Sequence, residues 1–175
     1  KRKRIKLISR KMKYIIQIHL EYKEDIIREI KIPISKSLED LHYTIIESFN
    51  LDNNEMASFY RTNEKLEILQ EIPIFQIDEN KDLTKNMSEI SIKEIFNKAN
   101  TQLIYIYDFL KMWRFLVSFI DVSKDDSQDI KLIKSTGEMP KNAPKIVFQS
   151  DESAEEKSED TYGIDNNEEF YDPSY

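Results

Sequence analysis

Cysteine is absent from the 175 residues. That removes disulfides, thiol nucleophiles and every cysteine-ligated zinc or iron–sulfur site. Only two glycines occur, Gly137 and Gly163, which excludes a P-loop and a G-x-G-x-x-G turn. The two histidines, His19 and His42, cannot form an H-E-x-x-H zinc-protease pair. No Ser sits in a nucleophile-elbow sequence. No apolar run reaches the length of about 18 residues that a membrane-spanning helix needs. The stretch IKLIS at residues 5–9 is too short for a secretory h-region and is interrupted by Lys6. No reaction, metal or cofactor is written in the sequence, and the expectation is a chain that is not an enzyme.

What is present is charge, unevenly placed. The net charge of −7 hides three segments of different sign. Residues 1–13 carry +8, residues 150–175 carry −9, and the stretch between them carries −6. This divides the chain into a basic leader over 1–13, a single domain over 14–149 and an acidic tail over 150–175. The leader is expected to be non-native, because Met12 offers a natural start just before the first strand-like run. The alternative is a basic arm for a phosphate backbone or an anionic surface. The tail has few aliphatic residues to bury against its ordering entropy, so disorder is expected there. An acidic domain disfavours nonspecific nucleic-acid binding.

Periodicity supplies the fold. Residues 14–20 (YIIQIHL) read as a strand, and in 26–33 (IIREIKIP) the residues Ile26, Arg28, Ile30 and Ile32 alternate against Ile27, Glu29 and Lys31. Ser37 is placed to cap a helix, its hydroxyl accepting from the N–H of Asp40. Leu38, Leu41, Ile45 and Phe49 then form one helical stripe, and the helix should end near Asn50. Further strands are expected over 56–61, 101–109 and 113–122, with a possible edge strand over 68–77 and a short helix around Ile92 and Ile95. Residues 130–149 read as short irregular pieces covering the sheet edge. The order β-β-α-β-(β)-α-β-β predicts an α+β domain with a β-grasp-like, ubiquitin-like mixed sheet and one main helix on one face.

Two stretches resemble one family. Ile26-Ile27-Arg28-Glu29, Pro33 and Asp40-Leu41-His42 match an opening with an I-W-R-R-like element, a Pro and a D-L-H helix. Tyr107-Asp108-Phe109 with Trp113 and Arg114 matches a second signature, Y-D-F-G-D-x-W-x-H. The chain over roughly 14–149 therefore resembles the family named after the third open reading frame of a Ri-plasmid segment, which carries a transposon-passenger, TnpR-like label. It resembles a divergent branch with D-F-L-x-M-W. Ile27 stands for the family's Trp, Leu110-Lys111-Met112 for its Gly-Asp-Asp, and Phe115 for its late His. The resemblance implies no particular reaction, and the label records gene neighbourhood.

Five residues stand out as a candidate surface or ligand site: His42, Asp108, Trp113, Arg114 and Arg28. His42 borders the helical stripe near Glu39 and Glu47, where a carboxylate would favour its charged form. As a base it would need a carboxylate such as Asp108 to fix its tautomer. The more ordinary expectation for Asp108 is an Asx-type role, accepting N–H groups across the 110–112 turn. Trp113 reads as a packing anchor. Arg28 and Arg114 are expected to pair at the surface with Glu29, Glu47 or Asp121. Asp125-Asp126 lacks EF-hand spacing and reads as a solvated loop. The leading expectation is a cytoplasmic, monomeric, non-catalytic module that binds protein or peptide through an open sheet edge, with no membrane partner. The runner-up is a nucleic-acid-associated accessory protein of a mobile element, and the third reading is an enzyme using His42 with Asp108.

Overall fold

The computed structural model describes residues 12–75, 85–97 and 100–144. The chain divides into two units, Lys1–Pro144 and Lys145–Tyr175, and everything described lies in the first. The acidic tail expected over 150–175 and most of the basic leader lie outside the described residues.

Among the described residues, seven strands form one sheet. In chain order they are β1 (Met12–Leu20), β2 (Ile27–Pro33), β3 (Ala57–Thr62), β4 (Ile68–Pro73), β5 (Gln102–Tyr107), β6 (Trp113–Lys124) and β7 (Lys131–Thr136). Their order across the sheet is β4-β3-β5-β6-β1-β2-β7. The helix α1 (Leu38–Phe49) is the one substantial helix among the described residues. A 3-10 turn (Met87–Glu89) and a single helical turn, α2 (Ile92–Ile95), precede β5.

This overturns the expected α+β, β-grasp-like layout. A mixed sheet needs at least one parallel pair, and every strand pair among the described residues is antiparallel. The domain is mainly β. The central pairing is β1 with β6, from Leu20↔Phe115 to Met12↔Lys124, with a bulge at Ile15/Ile16. β7 is a true strand, paired with β2 from Ile27↔Thr136 to Lys31↔Lys131, where irregular pieces were expected. β1 includes Met12 and Lys13, two residues of the stretch expected as a leader.

The strands alternate as half-buried antiparallel strands do. Ile16, Ile18, Leu20, Ile30, Ile32, Phe59, Leu103, Tyr105, Phe115 and Val117 face α1 and form the core with its Leu38, Leu41, Ile45, Ile46 and Phe49. β5 departs from alternation, because Ile104 and Ile106 on the opposite face are buried as well. The start of α1 closes with a reciprocal capping box. Ser37 Oγ accepts from Asp40 N at 3.1 Å, and Asp40 Oδ2 accepts from Ser37 N at 2.9 Å. Such a cap is worth about 1 kcal/mol. The helix ends at Asn50 in the left-handed region (φ 53°), which Asn tolerates better than most residues.

Candidate functional site

His42 lies inside the core rather than at its rim. It is buried, and its Nδ1 is 2.9 Å from the Tyr105 hydroxyl. Burial pushes its pKa down to about 4. The imidazole is therefore neutral at pH 7, the opposite of the charged form expected beside Glu39 and Glu47. Burial, then the neighbouring Tyr107, pushes the Tyr105 phenol far above its ordinary value. A neutral phenol faces a neutral imidazole across one hydrogen bond.

Asp108 is committed elsewhere. It follows β5 directly, in the left-handed region (φ 56°), and Met112 is left-handed too (φ 54°). The Asp108 carboxylate accepts from Leu110 N and Lys111 N at 3.1 Å each, and from Lys111 Nζ at 2.8 Å. Burial alone would raise this carboxyl. The Lys111 and Leu110 hydrogen bonds outweigh that and hold it below the usual carboxylate range. Asp108 thus ties together the β5–β6 turn, which presents Leu110 to solvent at 93 % exposure. No hydrogen bond joins it to His42, so the acid–base pair of the third reading does not form.

The remaining three residues separate as well. Trp113 is a core residue opening β6, opposite Tyr107. Arg114 is half-exposed and pairs with Glu21 at 2.8 Å, where Glu29, Glu47 or Asp121 was expected. Exposed pairs of this kind contribute about 0–1 kcal/mol. Arg28 is buried, with no carboxylate partner among the described residues. Its guanidinium donates to the carbonyls of Ser48 (2.8 Å), Thr136 (2.8 Å), Gly137 (3.1 Å) and its own neighbour Ile27 (2.9 Å). It also sits 4.6 Å from the Phe49 ring centroid. Arg28 therefore cross-braces the end of α1, β2 and the end of β7. Burial lowers its pKa, but an arginine stays protonated. The five candidates do not converge on one site.

Three features went unread in the sequence. One is Lys13, whose fully buried ammonium donates to Ser127 Oγ (2.6 Å) and Asp129 O (2.7 Å) and lies 3.1 Å from Asp125 Oδ2. The Ser127 N–H, then Lys13, hold the Asp125 carboxyl down to about 2. The loop expected to be solvated is a receptor for the start of β1. A second is the outer side of β7, which no described strand pairs and all six of whose residues are exposed, including Leu132 and Ile133 at 49 % and 43 %. Beside it lies a groove of about 380 Å3 lined by Thr44, Glu47, Ser48, Ile130 and Leu132. The third is an apolar cleft of about 500 Å3 between the sheet and α2.

Comparison with known proteins places this architecture. A family model described as plasmid pRiA4b ORF-3-like protein matches residues 12–168. The chain belongs to this family. The match begins at the first residue of β1 and runs past the expected domain end at 149. No curated protein matches the chain. Among solved structures, a protein of unknown function from Methanosarcina mazei Go1 is similar, at 19 % identity and a TM-score of 0.60 over 71 % of this chain and 68 % of that one. At that identity the likeness concerns the fold alone. The tip at Asp108–Trp113, where the resemblance to this plasmid-family signature was read, forms the capped β5–β6 turn. Among the described residues no helix is long and apolar enough to cross a membrane.

Proposed function

We propose that this plasmid pRiA4b ORF-3-like chain is a non-catalytic cytoplasmic module that binds an extended segment of another protein along β7. The observation that carries this reading is an edge strand exposed at every residue, with a groove next to it. An added strand obtains main-chain hydrogen bonds from the sheet edge and specificity from pockets that receive alternate side chains. On the α1 side of β7, the groove formed by Thr44, Glu47, Ser48, Ile130 and Leu132 is placed to receive them. Arg28 supports the same reading, since it fixes the end of β7 through the Thr136 and Gly137 carbonyls.

The lysines of β7 limit indiscriminate pairing, as charged residues do on exposed edges. Lys134 lies 3.3 Å from Glu29, and Lys131 lies 4.0 Å from Asp125. Both positive charges are matched within the domain, which argues against a basic track for nucleic acid.

The test is selection of peptides from a random library, followed by amide exchange on the complex. Selected peptides should protect β7 amides and lose binding when Leu132→Asp or Ile133→Asp is introduced. Peptides whose binding survives both changes and leaves β7 amides exchanging freely would refute the edge reading.

A further inference from the structure

We infer that the cleft between the sheet and α2 is a binding site for a small amphipathic carboxylate, an aryl or alkyl body carrying one anionic end. The cleft shares no described lining residue with the groove beside β7 and is lined by Tyr14, Lys93, Phe96, Asn97, Thr101 and Phe119. Its volume of about 500 Å3 falls in the ordinary range for small-ligand sites. Such sites combine apolar walls with a few placed polar groups.

The walls are aromatic and fixed. Tyr14 and Phe119 meet edge to face, with centroids 4.8 Å apart. The Phe119 N–H donates to Thr101 O at 2.8 Å, tying that wall to the start of β5. On the other side, Lys93 N donates to Ile34 O, Phe96 N to Ile92 O and Asn97 N to Asn100 O, at 3.0–3.1 Å. A ligand body entering here meets a preformed apolar surface, which reduces the ordering cost of binding.

The polar groups set the sign of the ligand. Among the described residues Lys93 has no carboxylate partner, although its helical neighbour Glu94 is paired, with Lys85. The Tyr14 and Thr101 hydroxyls likewise have no hydrogen-bond partner among the described residues. Among the described residues, a cation and two hydroxyls are therefore uncommitted around an apolar cleft that no described carboxylate lines. That donor set suits a carboxylate and leaves a ligand cation without a counter-charge.

Phenylpropionate and its neutral amide distinguish the terms of this inference, read by amide shift mapping on the full chain. Phenylpropionate should shift Phe96, Asn97, Thr101 and Phe119 saturably, and the amide should bind about tenfold more weakly. Lys93→Gln, an exposed change that leaves the fold intact, should erase the difference between acid and amide, and Lys93→Arg should retain it. Equal binding of acid and amide to the unaltered chain would overturn the anion assignment. Saturable shifts confined to other regions, or no saturation, would overturn the site. A short peptide ending in a free Phe carboxylate that binds tenfold more tightly than phenylpropionate would overturn the small-molecule assignment in favour of protein chain ends.

Discussion

β5 and β7 are both six residues long and belong to the same sheet, yet they are held by different physics. In β5 every residue from Leu103 to Tyr107 is buried, and both faces of the strand are covered. In β7 no residue is buried, and the strand is kept in place by its ladder to β2, by Arg28 and by the Lys134–Glu29 pair. Burial of large apolar side chains is worth about 1.5–3 kcal/mol each, whereas a hydrogen bond nets about 1 kcal/mol. The centre of the sheet is thus fixed by water exclusion, and its rim by polar contacts that water can replace. A strand of the second kind is the one that can exchange contacts with a partner.

Substitutions on the two strands should separate most widely at Tyr105. Tyr105→Ala removes a core ring and the hydroxyl that His42 bonds, and should cost about 4 kcal/mol in urea unfolding. A loss under about 1 kcal/mol would mean that β5 is not the anchor.

Acid should act on the same centre. The folded-state pKa of His42 lies near 4, below its ordinary 6.5. Between those values the unfolded chain binds the extra proton, so stability rises with pH through this window and falls as pH drops from 6.5 towards 4. The contribution lost amounts to about 3 kcal/mol. His42→Gln should flatten that slope, and an unchanged slope in the variant would assign it to other groups.

At the junction of the two regimes, Arg28→Met keeps the packing on Phe49 but frees three carbonyls beyond its own neighbour. The expected cost is about 2 kcal/mol, with faster amide exchange concentrated in β7. Exchange that accelerates uniformly would show that β7 does not open by itself. The smallest effect belongs to Ile133→Ala, under about 0.5 kcal/mol, because the residue is already in water. The same change should nonetheless weaken a peptide bound along β7.

The same contrast explains which parts of the fold are legible in the sequence. The α1 stripe of Leu38, Leu41, Ile45 and Phe49 and the Ser37 cap depend on neighbours a few residues away, and they were legible. β7 was not, since a strand exposed on both faces leaves no apolar alternation in KLIKST. Pairing was not legible either, because element order does not say that β1 lies beside β6. Arg28 carried an unread signal. It shares the parity of Ile30 and Ile32, which marks it as inward-facing, and an inward arginine needs acceptors. The aromatic cleft was beyond reach, because Tyr14, Phe96 and Phe119 come from three distant segments.

The β1–β6 pairing carries a consequence for the birth of the chain. Its partners stand roughly a hundred residues apart in sequence, so the contact that closes the sheet is slow to form by topology. During synthesis β1, β2 and α1 emerge before the rest of the sheet, and one side of β1 then lacks its partner strand until Trp113–Lys124 has left the ribosome. For that interval Ile16, Ile18 and Leu20 sit on an open strand, the kind of edge that pairs with other nascent chains. Yield in a cell should therefore depend on how quickly the last third of the chain follows the first, more than on the stability of the finished fold.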